Sequence, residues 1–263
     1  MDNQQIKAKV QDQFGKNAEK YVASESHAKA NDLSEMIDWL SPESNHVALD
    51  IATGGGHVTK ALSPQVGQVF STDLTLPMLE AAKRHLDSTC KNVFYVQADS
   101  ESLPFLEETF DIVVCRIAAH HFPNPERFVR EVGRVLKPGG RFLLIDNVAP
   151  EQDGLDVYMN QLEKLRDESH VRCYTTLEWK QWFVQANLQY ERAVLRKKTH
   201  NFPVWVRRTT ETEEQVRRVE EHILAGSQDM QSYFSVTVEE GEIKSLQIDE
   251  WMVMLQKVQK GKE

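Results

Sequence analysis

The hydrophobic pattern changes character near residue 46. Residues 1–32 are polar with scattered Phe14, Tyr21 and Val22, the pattern of one or two amphipathic helices rather than of a core element. Leu33, Met36, Ile37 and Leu40 then recur at helical spacing and stop at Ser41-Pro42, since proline cannot continue a helix. From there on, short apolar runs alternate with helical stretches. Val47–Ala52, Gln68–Asp73, Val93–Val96, Phe110–Cys115 and Arg141–Asp146 read as strands. Leu76–Leu86 reads as a helix with Pro77 in its first turn, and Pro125–Leu136 as a helix stopped by Lys137-Pro138-Gly139-Gly140. Strands alternating with helices of about ten residues predict an α/β fold, a Rossmann-like, doubly wound, mostly parallel sheet with helices on both faces. Short apolar strands suit such a sheet because both of its faces are buried.

After Pro150 the alternation loosens. Residues 151–176 are polar and helical in pattern, and a lid insertion is expected over about 150–176. Leu177–Asn187 predicts a helix, Tyr190–Leu195 a sixth strand, and residues 210–226, rich in Glu and Arg, a solvated helix. Val236-Thr237-Val238 and Ile243 onward flank Glu239-Glu240-Gly241-Glu242 as a hairpin, and Trp251–Leu255 reads as a buried final strand. Trp179, Trp182, Trp205 and Trp251 read as packing anchors.

Composition narrows the function classes. A chain of 263 residues, 40% hydrophobic and 27% charged, is long enough for one main domain with an appendage and needs no covalent staples. Cys90, Cys115 and Cys173 are odd in number with no CxxC spacing, which fits a reducing compartment and suggests no metal site; His27 and His57 are lone. The formal net charge of −9 argues against nucleic acid as the substrate. The first residues carry no apolar core of a secretory signal, and no run nears the roughly 20 residues of a membrane span. A cytoplasmic protein with a small-molecule partner is expected, and a homodimer is compatible.

The chemistry concentrates at strand ends. Asp50, Ala52, Thr53, Gly54 and Gly56 form a glycine-rich turn between the first strand and the next helix, where a ligand can approach the backbone and the helix start offers amides. Asp73 ends the second strand, placed to accept hydrogen bonds from both ribose hydroxyls of a nucleoside. Asp99-Ser100 follows the third strand, where a carboxylate can accept from an adenine amino group or simply cap a helix. The turn reads GxGxxT at Gly54, Gly56 and Thr59, so the third glycine of the dinucleotide fingerprint is missing, and no Tyr-x-x-x-Lys pair is present. An NAD-dependent enzyme is therefore the alternative rather than the first reading.

These residues resemble the class I S-adenosylmethionine methyltransferases, in the branch of the ubiquinone/menaquinone biosynthesis C-methyltransferases and the small bacterial YcgJ-type proteins. The resemblance is carried by Phe14-Gly15-x-x-Ala18-x-x-Tyr21, Leu49 to Gly56, Asp73-Leu74-x-x-x-Met78, Gln97 to Phe105 (with Ala98-Asp99-Ser100), Phe110 to Val113 with His120-His121-Phe122, and Leu136 to Gly140. Ala52 stands where the family usually has the first glycine of the loop, and Asn147 to Glu151 resembles the YcgJ-type proteins more than the quinone enzymes. The resemblance implies S-adenosylmethionine as cofactor and a seven-stranded sheet with one reversed strand from the C-terminal hairpin. It also implies a helical cap of residues 1–32 over the cofactor, with Tyr21 near its methionine end, followed by a methyltransferase domain over 33–263. Leu74, Met78, Ala98 and Arg116 join the cofactor-binding set.

Methyl transfer to an oxygen or carbon acceptor, such as a phenol or quinone, often requires removal of a proton, which suits histidine with its ordinary pKa near 6.5. His120 is the expected general base with Arg116 assisting, four residues apart on a turn of helix; the other reading has the His120-His121 pair packing structurally. Phe14, His121, His170 and Arg172 are candidate substrate contacts. A non-catalytic S-adenosylmethionine-binding protein and an RNA or protein methyltransferase are further alternatives.

Overall fold

The computed structural model describes residues 2–22 and 31–258, with only the backbone of Lys20, Tyr21 and Asn31. Strands β1 (Val47–Ile51), β2 (Gln68–Asp73), β3 (Val93–Gln97), β4 (Phe110–Arg116) and β5 (Leu136–Asn147) run parallel. Strand β8 (Glu242–Lys257) lies antiparallel between β5 and β6 (Leu188–Asn201), giving the order β3-β2-β1-β4-β5-β8-β6, and short β7 (Thr237–Glu239) pairs β8 as a hairpin. The seven-strand path and its single reversed strand are as expected; β7 adds an eighth.

Side chains alternate between two cores because successive strand residues face opposite ways. Leu49, Ile51, Val113, Cys115, Phe142 and Leu144 pack against α5 (Pro125–Val135) and α7 (Thr176–Gln185) through Phe128, Val132, Trp179 and Phe183. Ala48, Val69, Ile112, Val114, Leu143 and Ile145 face α2 (Asn31–Leu40) and α3 (His57–Leu62) through Met36, Leu40, Val58 and Leu62. Helix α4 (Leu76–Leu86) packs on β2 and β3, and α1 (Asn3–Val22) lies on α4, burying Ala18 against Met78 and Ala81.

Beyond the carboxyl ends of the strands stands a further core. Tyr158, Met159 and Leu162 of α6 (Asp153–Arg166) meet Phe202, Trp205 and Val206 of α8 (Phe202–Val206), and Val216, Val219 and Ile223 of α9 (Glu213–Ala225). Phe234, just after α10 (Gln228–Tyr233), and Leu246 and Ile248 of β8 complete it. The helix expected to be solvated thus has a buried face, and α6, expected to be a lid on its own, is one part of this larger unit. Strand β6 is far longer than the apolar signal at 190–195, because an edge strand keeps its hydrogen-bond ladder while exposing charged side chains. Strand β5 already starts at Leu136, taking in the Lys137-Pro138-Gly139-Gly140 segment expected to stop the preceding helix.

Candidate active site

A cavity opens at the carboxyl ends of β1, β2 and β4, where the strand order reverses, the usual ligand position of open parallel sheets. It is lined by Asp50, Ala52, Thr53, Gly54, Asp73, Leu74, Met78, Ala98, Asp99, Ser100 and Arg116, with Phe14 and His121. Gly56 does not line it. Its φ is 80° and a Cβ there would meet Leu86 Cδ1 at 2.7 Å, so it serves close packing of the turn on α4, and Gly55 lines the cavity instead. The Tyr21 side chain lies outside the described residues.

Asp50 accepts from Thr53 Oγ1 at 2.6 Å, Thr59 Oγ1 at 2.7 Å and the Thr59 amide at 3.1 Å. Asp73 accepts from the Gly54 amide at 3.1 Å and the Thr75 amide at 2.9 Å. Burial outweighs these bonds and pushes each carboxyl up to about 6. A carboxylate offers about four acceptor positions, so Asp73 retains capacity for two ligand hydroxyls at the strand end. Helix α1 contributes Val10 and Phe14 to the lining. Lys7, which also lines the cavity, donates to Asp99 at 2.6 Å and to Glu101 at 2.7 Å.

Three further expected placements are corrected. Arg116 and His120 do not share a helical face: Arg116 ends β4, Ile117 turns the chain at a φ of 53°, and His120 sits in a 3-10 turn over Ala119–His121. Arg116 faces the first cavity, buried in a two-bond ion pair with Asp32 at 2.7 and 3.1 Å, away from the base it was expected to assist. Arg172 lines neither this cavity nor the next, because it pairs with Asp156 at 2.6 Å and lies over Tyr174. His170 is likewise enclosed, with Nε2 3.0 Å from Asn160 Oδ1, and it too lines neither.

A second cavity adjoins the first and shares Phe14, Ile117 and His121 with it. Its remaining wall comes from His120, from Asn147 at the end of β5, from Arg166 and Asp167 at the end of α6, and from the end of β6 and the α8 region. His120 is held there by Asp146: Nδ1 is 2.6 Å from Oδ1, and the His120 amide donates to Oδ2 at 3.1 Å. Burial works against charge on His120, but the Asp146 carboxylate and its hydrogen bond outweigh it, so the pKa is raised. Burial and then the neighbouring His120 push His121 down to about 4. His121 stands edge-on to Phe14 at 4.9 Å, its Nδ1 3.1 Å from the Ser169 carbonyl.

An open doubly wound sheet of this order, with a glycine turn after β1 and a buried acid ending β2, defines a class I S-adenosylmethionine-dependent methyltransferase. Residues 49–144 match the family described as Methyltransferase domain. YcgJ of Bacillus subtilis (strain 168), described as an uncharacterized methyltransferase, is 37% identical over 226 residues, 86% of this chain and 89% of its own. The chain belongs to that methyltransferase family. The crystal structure of YcgJ superposes with a TM-score of 0.84 at 34% identity over 87% of this chain and 98% of its own. That of a candidate methyltransferase from Bacillus halodurans C-125 gives 0.85 at 38% identity, over 88% and 100%. The ubiquinone/menaquinone biosynthesis C-methyltransferase UbiE of Ruegeria sp. (strain TM1040) is 33% identical, but over only 46% of this chain and 50% of its own. No helix among the described residues is long and apolar enough to cross a membrane.

Proposed function

We propose that the first cavity seats S-adenosylmethionine and the second seats a small-molecule methyl acceptor, with His120 as general base. The observation that carries this reading is the shared wall of Phe14, Ile117 and His121, which sets the His120–Asp146 pair beside the cofactor cleft yet outside it. Asp73 would hold the ribose hydroxyls and Ala98-Asp99-Ser100 the adenine. Asp50, the glycine turn and Arg116 would face the methionine end. The cofactor supplies an electrophilic methyl on a sulfonium, so the chain's own task is to position the acceptor and take its proton. Asp146 holds His120 Nδ1, which leaves Nε2 to receive the proton of a phenol- or enol-like acceptor; Asp146 is a positioning residue.

Calorimetry with S-adenosylhomocysteine and NAD tests the cofactor site. The sulfur ligand is expected to bind, weakened in Asp73→Ala, and NAD not to bind. Transfer of tritiated methyl to a small-molecule cell extract tests the base. His120→Ala should lose roughly 10²-fold in turnover with cofactor affinity kept. Wild-type turnover should rise with pH through a histidine value above 6.5, and Asp146→Asn should bring that limb down. Equal loss of turnover and cofactor affinity in His120→Ala would sink the base assignment.

A further inference from the structure

The lining of the second cavity is rich in basic side chains in a chain whose net charge is −9. Arg166, Lys198 and Arg208 line it beside three histidines, His120, His121 and His200, against one carboxylate, Asp167. That carboxylate is engaged elsewhere: Asp167 Oδ1 accepts both the amide and the hydroxyl of Ser169, at 2.8 and 2.5 Å. Arg166 is a frame member. It donates to Glu163 at 2.6 and 3.0 Å and to Thr209 Oγ1 at 2.9 Å, and its guanidinium lies 4.4 Å over the Trp205 ring. Lys198 binds the buried carboxylate of Glu250 beneath it, and an ammonium has three N–H groups, more than one such bond uses. Arg208 lines the same wall, and the five N–H donors of a guanidinium exceed what one partner uses. Asn201 accepts from the Val204 amide through Oδ1, so its NH2 group is the end left to donate. The wall contributed by β6 and the α8 region is thus built of donors, and none of Arg166, Lys198, Asn201 and Arg208 lines the cofactor cavity.

We propose that the methyl acceptor carries an acidic group, a carboxylate or a phosphate, seated on Lys198, Asn201 and Arg208, which line the second cavity and not the cofactor cavity. The proposal rests on the reading that this cavity holds the acceptor. Charge-assisted hydrogen bonds are strong inside a partly enclosed cavity, and an anchor on residues that do not line the cofactor cavity orients the acceptor's nucleophile toward the Phe14–Ile117–His121 wall. The acid is the handle and not the methylated group, so the product keeps its negative charge.

The test uses the full chain, S-adenosylmethionine with a tritiated methyl, and a small-molecule cell extract, the products being separated on an anion-exchange resin at neutral pH. Label is expected in the retained fraction. Phosphatase treatment moves it to the flow-through if the handle is a phosphate and leaves it retained if it is a carboxylate. Arg208→Gln should raise KM for the purified labelled acceptor about tenfold or more with S-adenosylhomocysteine affinity unchanged. Because Lys198→Gln alone would strand buried Glu250, the second variant is the double Lys198→Gln/Glu250→Gln, expected to behave alike. Label only in the flow-through, or an unchanged KM in both variants, overturns the proposal. Empty fractions throughout, with S-adenosylhomocysteine still bound, overturn the small-molecule acceptor reading along with it and are told apart by that pattern.

Discussion

Two non-glycine residues at the cofactor cleft hold a left-handed backbone, Ala52 at a φ of 55° and Ile117 at 53°. For a β-branched residue this is rare and costly, and Ile117 tolerates it where β4 ends and the wall between the cavities begins, its amide bonded to the Ile145 carbonyl at 2.7 Å. Ala52 packs partly buried beside the main core, so its strain can be relieved without opening a large cavity. Ala52→Gly should stabilise the protein by about 0.5–1 kcal/mol, a rise of a few degrees in Tm by calorimetry, with S-adenosylhomocysteine affinity retained; a lower Tm would refute the strain. Asp73 yields a pH prediction. Its carboxyl titrates at about 6, and ribose hydroxyls need the ionised acceptor, so S-adenosylhomocysteine affinity should fall as pH drops from 7 to 5. The fall approaches about tenfold per unit below 6, and the Asp73→Asn profile should be weaker and flatter. Affinity is the readout rather than Tm. The raised carboxyls of Asp50 and Asp73 bind protons in the fold that the unfolded chain releases, favouring the fold as pH falls from 6 toward 4. His121, held down at about 4, withholds one over the same window and opposes them. The acids Asp50, Asp73 and Asp99 were legible because each lies in or next to the end of a strand signal in its own segment. Lys7, Asp32 and Asp146 were not, since their partners Asp99, Arg116 and His120 lie 92, 84 and 26 residues away and no local pattern announces them.

At the scale of elements, the two faces of the sheet depend on close helix packing, and glycine marks where it is closest. Gly133 lies buried on α5, where a Cβ would meet the Ala186 carbonyl oxygen at 2.7 Å and its Cβ at 3.2 Å, just past the end of α7. The neighbour at 2.7 Å is backbone and cannot swing aside, so Gly133→Ala should destabilise by about 1–3 kcal/mol as the two helices part. Gly154, in the first turn of α6, has nothing within 4 Å of its would-be Cβ, so Gly154→Ala should be neutral to stabilising by up to about 1 kcal/mol. Urea denaturation of the pair measures both, and equal effects of one sign would contradict this account of α5–α7 contact. The buried strands and amphipathic helices were readable because both faces of the sheet demand apolar side chains. The misreadings share a cause: β6 is held by its ladder to β8, and α9 by a buried stripe of Val216, Val219 and Ile223 within a charged sequence, so tertiary pairing and not composition decides them.

The whole molecule is a sheet with two faces and a third core set on its carboxyl edge, and the second cavity lies between them, with Trp205 of that core in its wall. The third core is assembled from residues between Ala149 and Ile248, joined to the sheet through β6 and β8 and through the His120 carbonyl, which accepts the amides of Val171 and Arg172 at 3.0 and 3.1 Å. None of its segments carries a strand–helix alternation, so the sequence pattern dissolves there even though the packing does not. If this unit is the acceptor's enclosure and the sheet end is the cofactor's, the two should be separable energetically. Phe234 is 1% exposed and lies in the third core, outside the lining of either cavity. Phe234→Ala should cost about 3–5 kcal/mol, and the loss should concentrate locally as sub-global opening. Hydrogen exchange should quicken in 153–166 and 213–225 while β1 to β5 keep their protection. S-adenosylhomocysteine should bind as in wild type, and methyl transfer to the acceptor should fall through KM. Uniform loss of protection across β1 to β5, with cofactor affinity falling alongside, would instead make the third core an inseparable part of the sheet's own stability.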